Sequence, residues 1–171
     1  MRYLLPCLLI ASTAALAQQQ PPQYGCDSPE SKQLDFWVGD WELSYKSGEQ
    51  VGTSRNRITK SLDGCVVMEE FTGAPGTKLN GRSYSTFDRV TKQWKQAWVD
   101  NTASYLDFTG GVLPDGRMHF ARETTQNGKK VRARMVWDDV KADSLRWTWQ
   151  RSVDDGATWS NVWEIEYRRA K

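Results

Sequence analysis

The chain has 171 residues, 39% of them hydrophobic and 26% charged, with nine tryptophans and one histidine. That length suits one domain behind a short leader. The formal charge of +2 argues against a nucleic-acid or anionic-membrane partner, which would favour a clear basic excess.

Residues 1–17 read as a signal peptide. Arg2 is the charged start, Leu4 to Leu16 is apolar apart from Pro6, Ser12 and Thr13, and Ala15-Leu16-Ala17 forms the cleavage site. The apolar run stops at Gln18, short of the roughly 20 residues a spanning helix needs. No cysteine follows Ala17 directly, as a lipid anchor would require, and no later segment is long and apolar enough to span a bilayer. The expectation is a secreted or periplasmic protein without an integral membrane segment. Arg2 is the only charged residue in this stretch, so its removal leaves a chain close to neutral.

Residues 18–33 are polar and Pro-rich and read as an N-terminal arm, with residues 34–171 as a single domain. Cys7 leaves with the leader. Cys26 and Cys65 remain, an even pair in an oxidising compartment, and are expected to bridge. Two cysteines and His119, far apart in sequence, lack zinc-ligand spacing, so neither a metal nor a cofactor is expected.

From Trp37 onward the chain alternates turn chemistry with strand chemistry. Clusters such as Asp63-Gly64, Asp100-Asn101, Pro114-Asp115-Gly116, Asn127-Gly128 and Asp154-Asp155-Gly156 supply turn geometry. Ten segments of strand length lie between the turns, near 36–46, 51–60, 65–72, 81–88, 93–100, 103–110, 117–124, 130–138, 144–152 and 160–169. No segment has helical periodicity. Short connections imply antiparallel neighbours, and so long a meander closes to remove its edges. The fold class expected is all-β, an antiparallel up-and-down barrel of about ten strands.

The last three segments show the faces most clearly. Val131, Ala133, Met135 and Trp137 alternate with Arg132 and Arg134. Leu145, Trp147 and Trp149 alternate with Arg146 and Thr148, and Trp163, Ile165 and Tyr167 alternate with Glu164 and Glu166. A hairpin centred on Gly156 would set Trp149 opposite Trp163, Trp147 opposite Ile165 and Arg146 opposite Glu166. Aromatics then face inward and charge pairs outward. The turn itself, Ser152-Val153-Asp154-Asp155-Gly156-Ala157-Thr158-Trp159, resembles the Asp-box of sialidase-type propellers. One copy is present where propellers repeat it. Ser152, Asp154, Gly156 and Trp159 are therefore read as a structural turn with no sialidase chemistry.

The remaining polar candidates divide by parity. His119 lies between Met118 and Phe120 and is expected outside. Glu69 and Glu70 are adjacent, so they point to opposite faces and cannot act as a carboxylate pair. No nucleophile elbow or phosphate loop is present, and no catalytic residue is assigned. Tyr84, Trp94, Gln96 and Trp98 share one parity, and Trp41 follows the glycine that lets the first strand bend. Trp41, Tyr84, Gln96 and Trp98 are the candidate ligand-binding residues, because aromatic walls with a few hydrogen-bonding groups make a small-molecule pocket. A filled aromatic core stays open as the alternative.

Asp35-Phe36-Trp37-Val38-Gly39-Asp40-Trp41-Glu42, with Leu62-Asp63-Gly64-Cys65, Trp94-Lys95-Gln96-Ala97-Trp98-Val99-Asp100 and Asp154-Asp155-Gly156-Ala157-Thr158-Trp159, resembles a bacterial secreted family of unknown function, DUF1579. The family looks calycin-like, related to lipocalins, fatty-acid-binding proteins and nitrobindins. The resemblance implies a ligand-binding barrel and assigns no ligand. Two features depart from those relatives: Lys46 to Gln50 is too short for the helical pair of fatty-acid-binding proteins, and no histidine follows His119 to hold a nitrobindin haem. The function expected is binding of a small apolar or amphipathic molecule outside the cytoplasm. The alternatives are an isomerase-like enzyme with a barrel-interior site and a structural or interaction module with a filled barrel. An inward ionisable group, a dry aromatic pocket or no pocket would tell the three apart.

Overall fold

The computed structural model describes residues 25–47, 50–73 and 78–171. The expected signal peptide, residues 18–24 of the arm and residues 48–49 and 74–77 lie outside them. Ten strands run in chain order: β1 (Gly39–Ser47), β2 (Gln50–Ser61), β3 (Val66–Thr72), β4 (Asn80–Asp88) and β5 (Gln93–Asp100), then β6 (Tyr105–Val112), β7 (Met118–Gln126), β8 (Lys129–Asp138), β9 (Ser144–Ser152) and β10 (Ser160–Arg169). Each pairs antiparallel with its sequence neighbour, and β1 pairs with β10 to close the barrel. Closure leaves no open sheet edge. The ten strands fall where turn residues and two-residue alternation place them.

The β9–β10 hairpin has the expected register. Trp149 faces Trp163, Trp147 faces Ile165 and Arg146 faces Glu166. The turn between them is held by its own side chains. Ser152 Oγ accepts from the Gly156 amide at 2.8 Å, and Asp154 accepts from the Thr158 amide at 2.9 Å. The Thr158 hydroxyl and other donors pull the Asp154 carboxyl down to about 2. That contribution to stability is present above the ordinary 3.8 and is lost as pH falls towards 2. Trp159 packs against the Arg134 guanidinium, 4.0 Å from its ring centroid.

Gly156 has φ +93, and a Cβ there would meet Arg132 Nη1 at 3.2 Å. A β-branched side chain is strained at that backbone angle. Gly156→Val is therefore expected to lower stability by roughly 1–3 kcal/mol, read as a lower melting temperature. An unchanged melting temperature would contradict this turn geometry.

The chain differs from the sequence expectation at its entry to the barrel. Asp35–Trp37 is a single 3-10 turn and β1 begins only at Gly39. Gly39, at φ +139, is where the turn gives way to the strand. Leu34 and Trp37 are buried, and the Trp37 ring packs edge-on against Trp137 at 5.1 Å. Arg169 fastens this segment. Its guanidinium donates to the carbonyls of Val38 and Phe36 and lies 3.9 Å from the Trp41 ring centroid.

Upstream, Cys26 and Cys65 form a disulfide with Cα atoms 4.9 Å apart. Trp94 Nε1 donates to Gln33 Oε1 at 3.0 Å. The described part of the arm is thus pinned to the barrel by a covalent bond and a side-chain hydrogen bond.

Packing divides the interior. Trp37, Trp94, Phe120 and Trp137 form a chain of edge-on ring contacts at 5.1–6.5 Å. Such pairs contribute about 0.5–1.5 kcal/mol each beyond their buried area. This part of the barrel is filled. The other part, between β3, β5, β6, β8, β9 and β10, is hollow.

Candidate functional site: an aromatic cavity

The hollow part is a cavity of about 260 Å³. Its walls are the inward side chains of the strands that the two-residue period sends to the interior. Phe71, Trp98, Phe108, Trp147, Trp149 and Trp163 supply rings, and Trp37 lines it beside the closed region. Trp163 meets both Trp147 and Phe71 edge-on, at 5.7 and 6.4 Å. The polar groups of the lining are Glu69, Gln96, Asp100 and Tyr167.

Small residues on β4 make room for the β5 wall. Gly81, Ser83 and Ser85 face inward, opposite Asp100, Trp98 and Gln96 of β5. The Trp98 ring lies so close over Gly81 that a Cβ there would be 2.0 Å from Cζ2. Only glycine accepts that approach.

Glu69 is the acid inside the wall. It is 8% exposed. Oε1 accepts from Asn56 Nδ2 at 2.7 Å and Oε2 from Ser83 Oγ at 2.6 Å. Asn56 Nδ2 also reaches the Tyr167 hydroxyl at 3.1 Å. Burial pushes the Glu69 carboxyl above its ordinary value, against the pull of the Ser83 and Asn56 hydrogen bonds. Burial likewise drives the Tyr167 phenol far upward, and the nearby Glu69 charge adds to it.

Asp100 differs. Thr102 and Trp98 donate to it, and those bonds hold its carboxyl well below the usual range. Gln96 Nε2 donates to Ser85 Oγ at 3.0 Å.

The four candidate ligand residues separate. Gln96 and Trp98 line the cavity. Trp41 does not: it is buried in the closed region, where its indole N–H donates to the Trp37 carbonyl at 2.7 Å. Tyr84 is a correction. It faces outward and is 50% exposed, paired with Ala97 and Met68 on the outer face. The expectation followed the larger side chain on β4, whereas the ladder sets Ser83, not Tyr84, opposite Trp98. A bulky β5 face needs small partners, and the inward side of β4 is therefore the less apolar one.

The residues missed by sequence reasoning carry a signal in hindsight. Glu69 shares its parity with Val67 and Phe71 on β3, both buried, so the alternation that sends them inward sends Glu69 with them. Glu70 faces out, with Arg82 at 3.4 Å.

His119 lies on the outer face in a groove with Arg134 and Trp159. Its Nδ1 is 2.9 Å from the Gly111 carbonyl oxygen, and partial burial holds its pKa below the ordinary value. It has no part in the cavity. Among the described residues no cluster of three His, Cys, Asp or Glu side chains could hold a metal ion. No helix among them is long and apolar enough to cross a membrane.

A search of curated proteins finds no match. The model of one family, described as a protein of unknown function (DUF1579), matches residues 27–169, which include all ten strands and every residue that lines the cavity. The chain belongs to the DUF1579 family.

Proposed function

We propose that the protein is an extracytoplasmic binding protein that holds one small apolar or amphipathic molecule in the aromatic cavity. The observation that carries this is the cavity itself, about 260 Å³ walled by tryptophan and phenylalanine rings with few polar groups. Binding sites combine a mostly apolar wall with a few placed hydrogen-bonding groups. Placement outside the cytoplasm is supported by the Cys26–Cys65 bridge and by the leader-like pattern of residues 1–17.

An enzymatic reading has one observation in its favour, the buried Glu69 with a raised pKa beside Tyr167. Both groups, however, are tied to Asn56. The described lining holds no Lys, Arg, His, Ser or Cys to serve as a second catalytic group. Binding is the better-supported function.

Wall indoles report occupancy through their fluorescence. An environment-sensitive apolar dye, a fatty acid or a retinoid is expected to shift tryptophan emission saturably. Trp98→Ala is expected to weaken binding roughly tenfold, the loss of about 1.4 kcal/mol of ring contact. Arg146→Ala, on the outer face, leaves affinity unchanged. Equal effects from the two substitutions, or no saturable response to any probe, would overturn the binding function.

A further inference from the structure

The geometry points to an organic cation as the occupant: an ammonium or comparable positively charged nitrogen group, with Glu69 as its counter-ion and the surrounding rings as a cation–π cage. This rests on the binding function proposed above and specifies its ligand class.

Three features of the interior carry it. First, the sign of the lining is one-sided. Its ionisable groups are Glu69, Asp100 and Tyr167, and it contains no basic side chain among the described residues. Arg122 shares the inward parity of Met118 and Phe120, with its guanidinium 5.8 Å from the Phe108 ring centroid, but it is not among the residues that line the cavity.

Second, Glu69 is a buried acid without a cation. On the outer face carboxylates meet Arg or Lys directly, as Glu123 meets Arg132 at 2.8 Å and Asp138 meets Arg117 at 2.8 Å. Glu69 has only neutral partners, the Asn56 amide and the Ser83 hydroxyl. Those two bonds use half of the roughly four acceptor positions of a carboxylate. An unpaired buried carboxylate is costly, and a positive ligand group would offset that cost.

Third, the walls suit the same charge. Trp98, Trp147, Trp149 and Trp163, with Phe71 and Phe108, surround the space. Tryptophan faces attract cations within about 6 Å, most strongly where water is excluded.

The groups facing Glu69 from its neighbours are few. β2 presents Asn56 and Ile58, β4 presents Ser83 and Ser85, and β10 presents Tyr167. Burial keeps the phenol protonated, so Glu69 is the group that titrates. In the empty barrel its pKa is raised. A bound permanent cation favours the carboxylate and lowers that pKa. Affinity for such a cation therefore rises with pH and levels off above the raised value of the empty protein. A neutral ligand of the same shape shows no such rise.

Benzyltrimethylammonium and its carbon isostere neopentylbenzene separate charge from shape. Both are titrated into the mature protein and into Glu69→Gln, followed by tryptophan fluorescence. The expected result is that Glu69→Gln lowers the ratio of cation to neutral affinity by roughly tenfold to a hundredfold, the size of a charge-assisted contact. Neutral binding is retained, which shows that the variant is folded. In the parent, cation affinity climbs with pH and neutral affinity does not, a readout that needs no variant.

An unchanged ratio, or a pH-independent cation affinity, would overturn the cation inference while leaving the binding function standing. Failure of both probes to bind would overturn both. Stability gives the fold control. Glu69 contributes stability below its ordinary 4.5 that is lost as pH rises through its raised value. Glu69→Gln is thus expected to melt above the parent at neutral pH.

Discussion

Trp137→Ala is expected to lower stability by about 3–5 kcal/mol, the range for deleting a buried tryptophan. Trp137 is 0% exposed. Its ring meets Trp37 at 5.1 Å, Phe120 at 5.7 Å and Phe36 at 6.5 Å, all edge-on. Truncation removes the common partner of the three rings and leaves a void that strands fixed in a closed barrel cannot collapse to fill. Denaturant titration should show the midpoint falling. The melting temperature should drop on the order of 10 °C.

The control is Trp137→Phe. The Trp137 indole N–H has no hydrogen-bond partner among the described residues. Phenylalanine keeps most of the ring contact and deletes an unsatisfied donor. It is expected to be much the milder change. A Trp137→Ala loss below about 1 kcal/mol, or no difference between the two variants, would mean that the closed region is not packed as described.

Loss of the disulfide is the second large effect. Cys26 and Cys65 enclose a sequence separation of 39. Restricting a loop of that length in the unfolded chain stabilises the fold by about 4 kcal/mol on the chain-entropy model. Cys26→Ala with Cys65→Ala is expected to lose most of that, and reductant added to the parent should produce the same shift.

The bond has a local consequence too. Cys26 anchors the approach to Leu34–Trp37, the segment that fills the closed region and contributes Trp37 to the cavity. The double variant should therefore weaken probe binding as well as stability. Non-reducing peptide mapping of exported protein should recover a linked Cys26–Cys65 pair, together with an N-terminal peptide starting at Gln18. Two alkylatable thiols, or a reductant-independent melting temperature, would contradict it.

The strand count, the antiparallel order and the β9–β10 register were legible in the sequence because they depend on local information. Asp154-Asp155-Gly156 sets one turn, and a two-residue period then fixes which side chains share a face. With Trp149 placed opposite Trp163, Arg146 must lie opposite Glu166. The pairing of Cys26 with Cys65 followed from there being only two cysteines beyond the leader-like residues 1–17.

Parity does not say which face is inside, and there the tertiary structure decided. On β4 the tyrosine faces solvent and the serines face the barrel interior, packed opposite Trp98 and Gln96 of β5. The 3-10 turn at Asp35–Trp37 makes its own backbone hydrogen bonds, but its Phe36 carbonyl and that of Val38 after it are satisfied by Arg169, at the far end of the chain. Glu69 gains its partners from β2 and β4, its neighbours in the closed sheet.

Whether the barrel is filled or hollow is the least local property of all. It is the difference between the volume enclosed by ten strands and the summed volume of the inward side chains. Trp37, Trp94, Phe120 and Trp137 exhaust that volume in one part. The inward rings of β3, β5, β6, β9 and β10 do not exhaust it in the other, and the cavity is what remains.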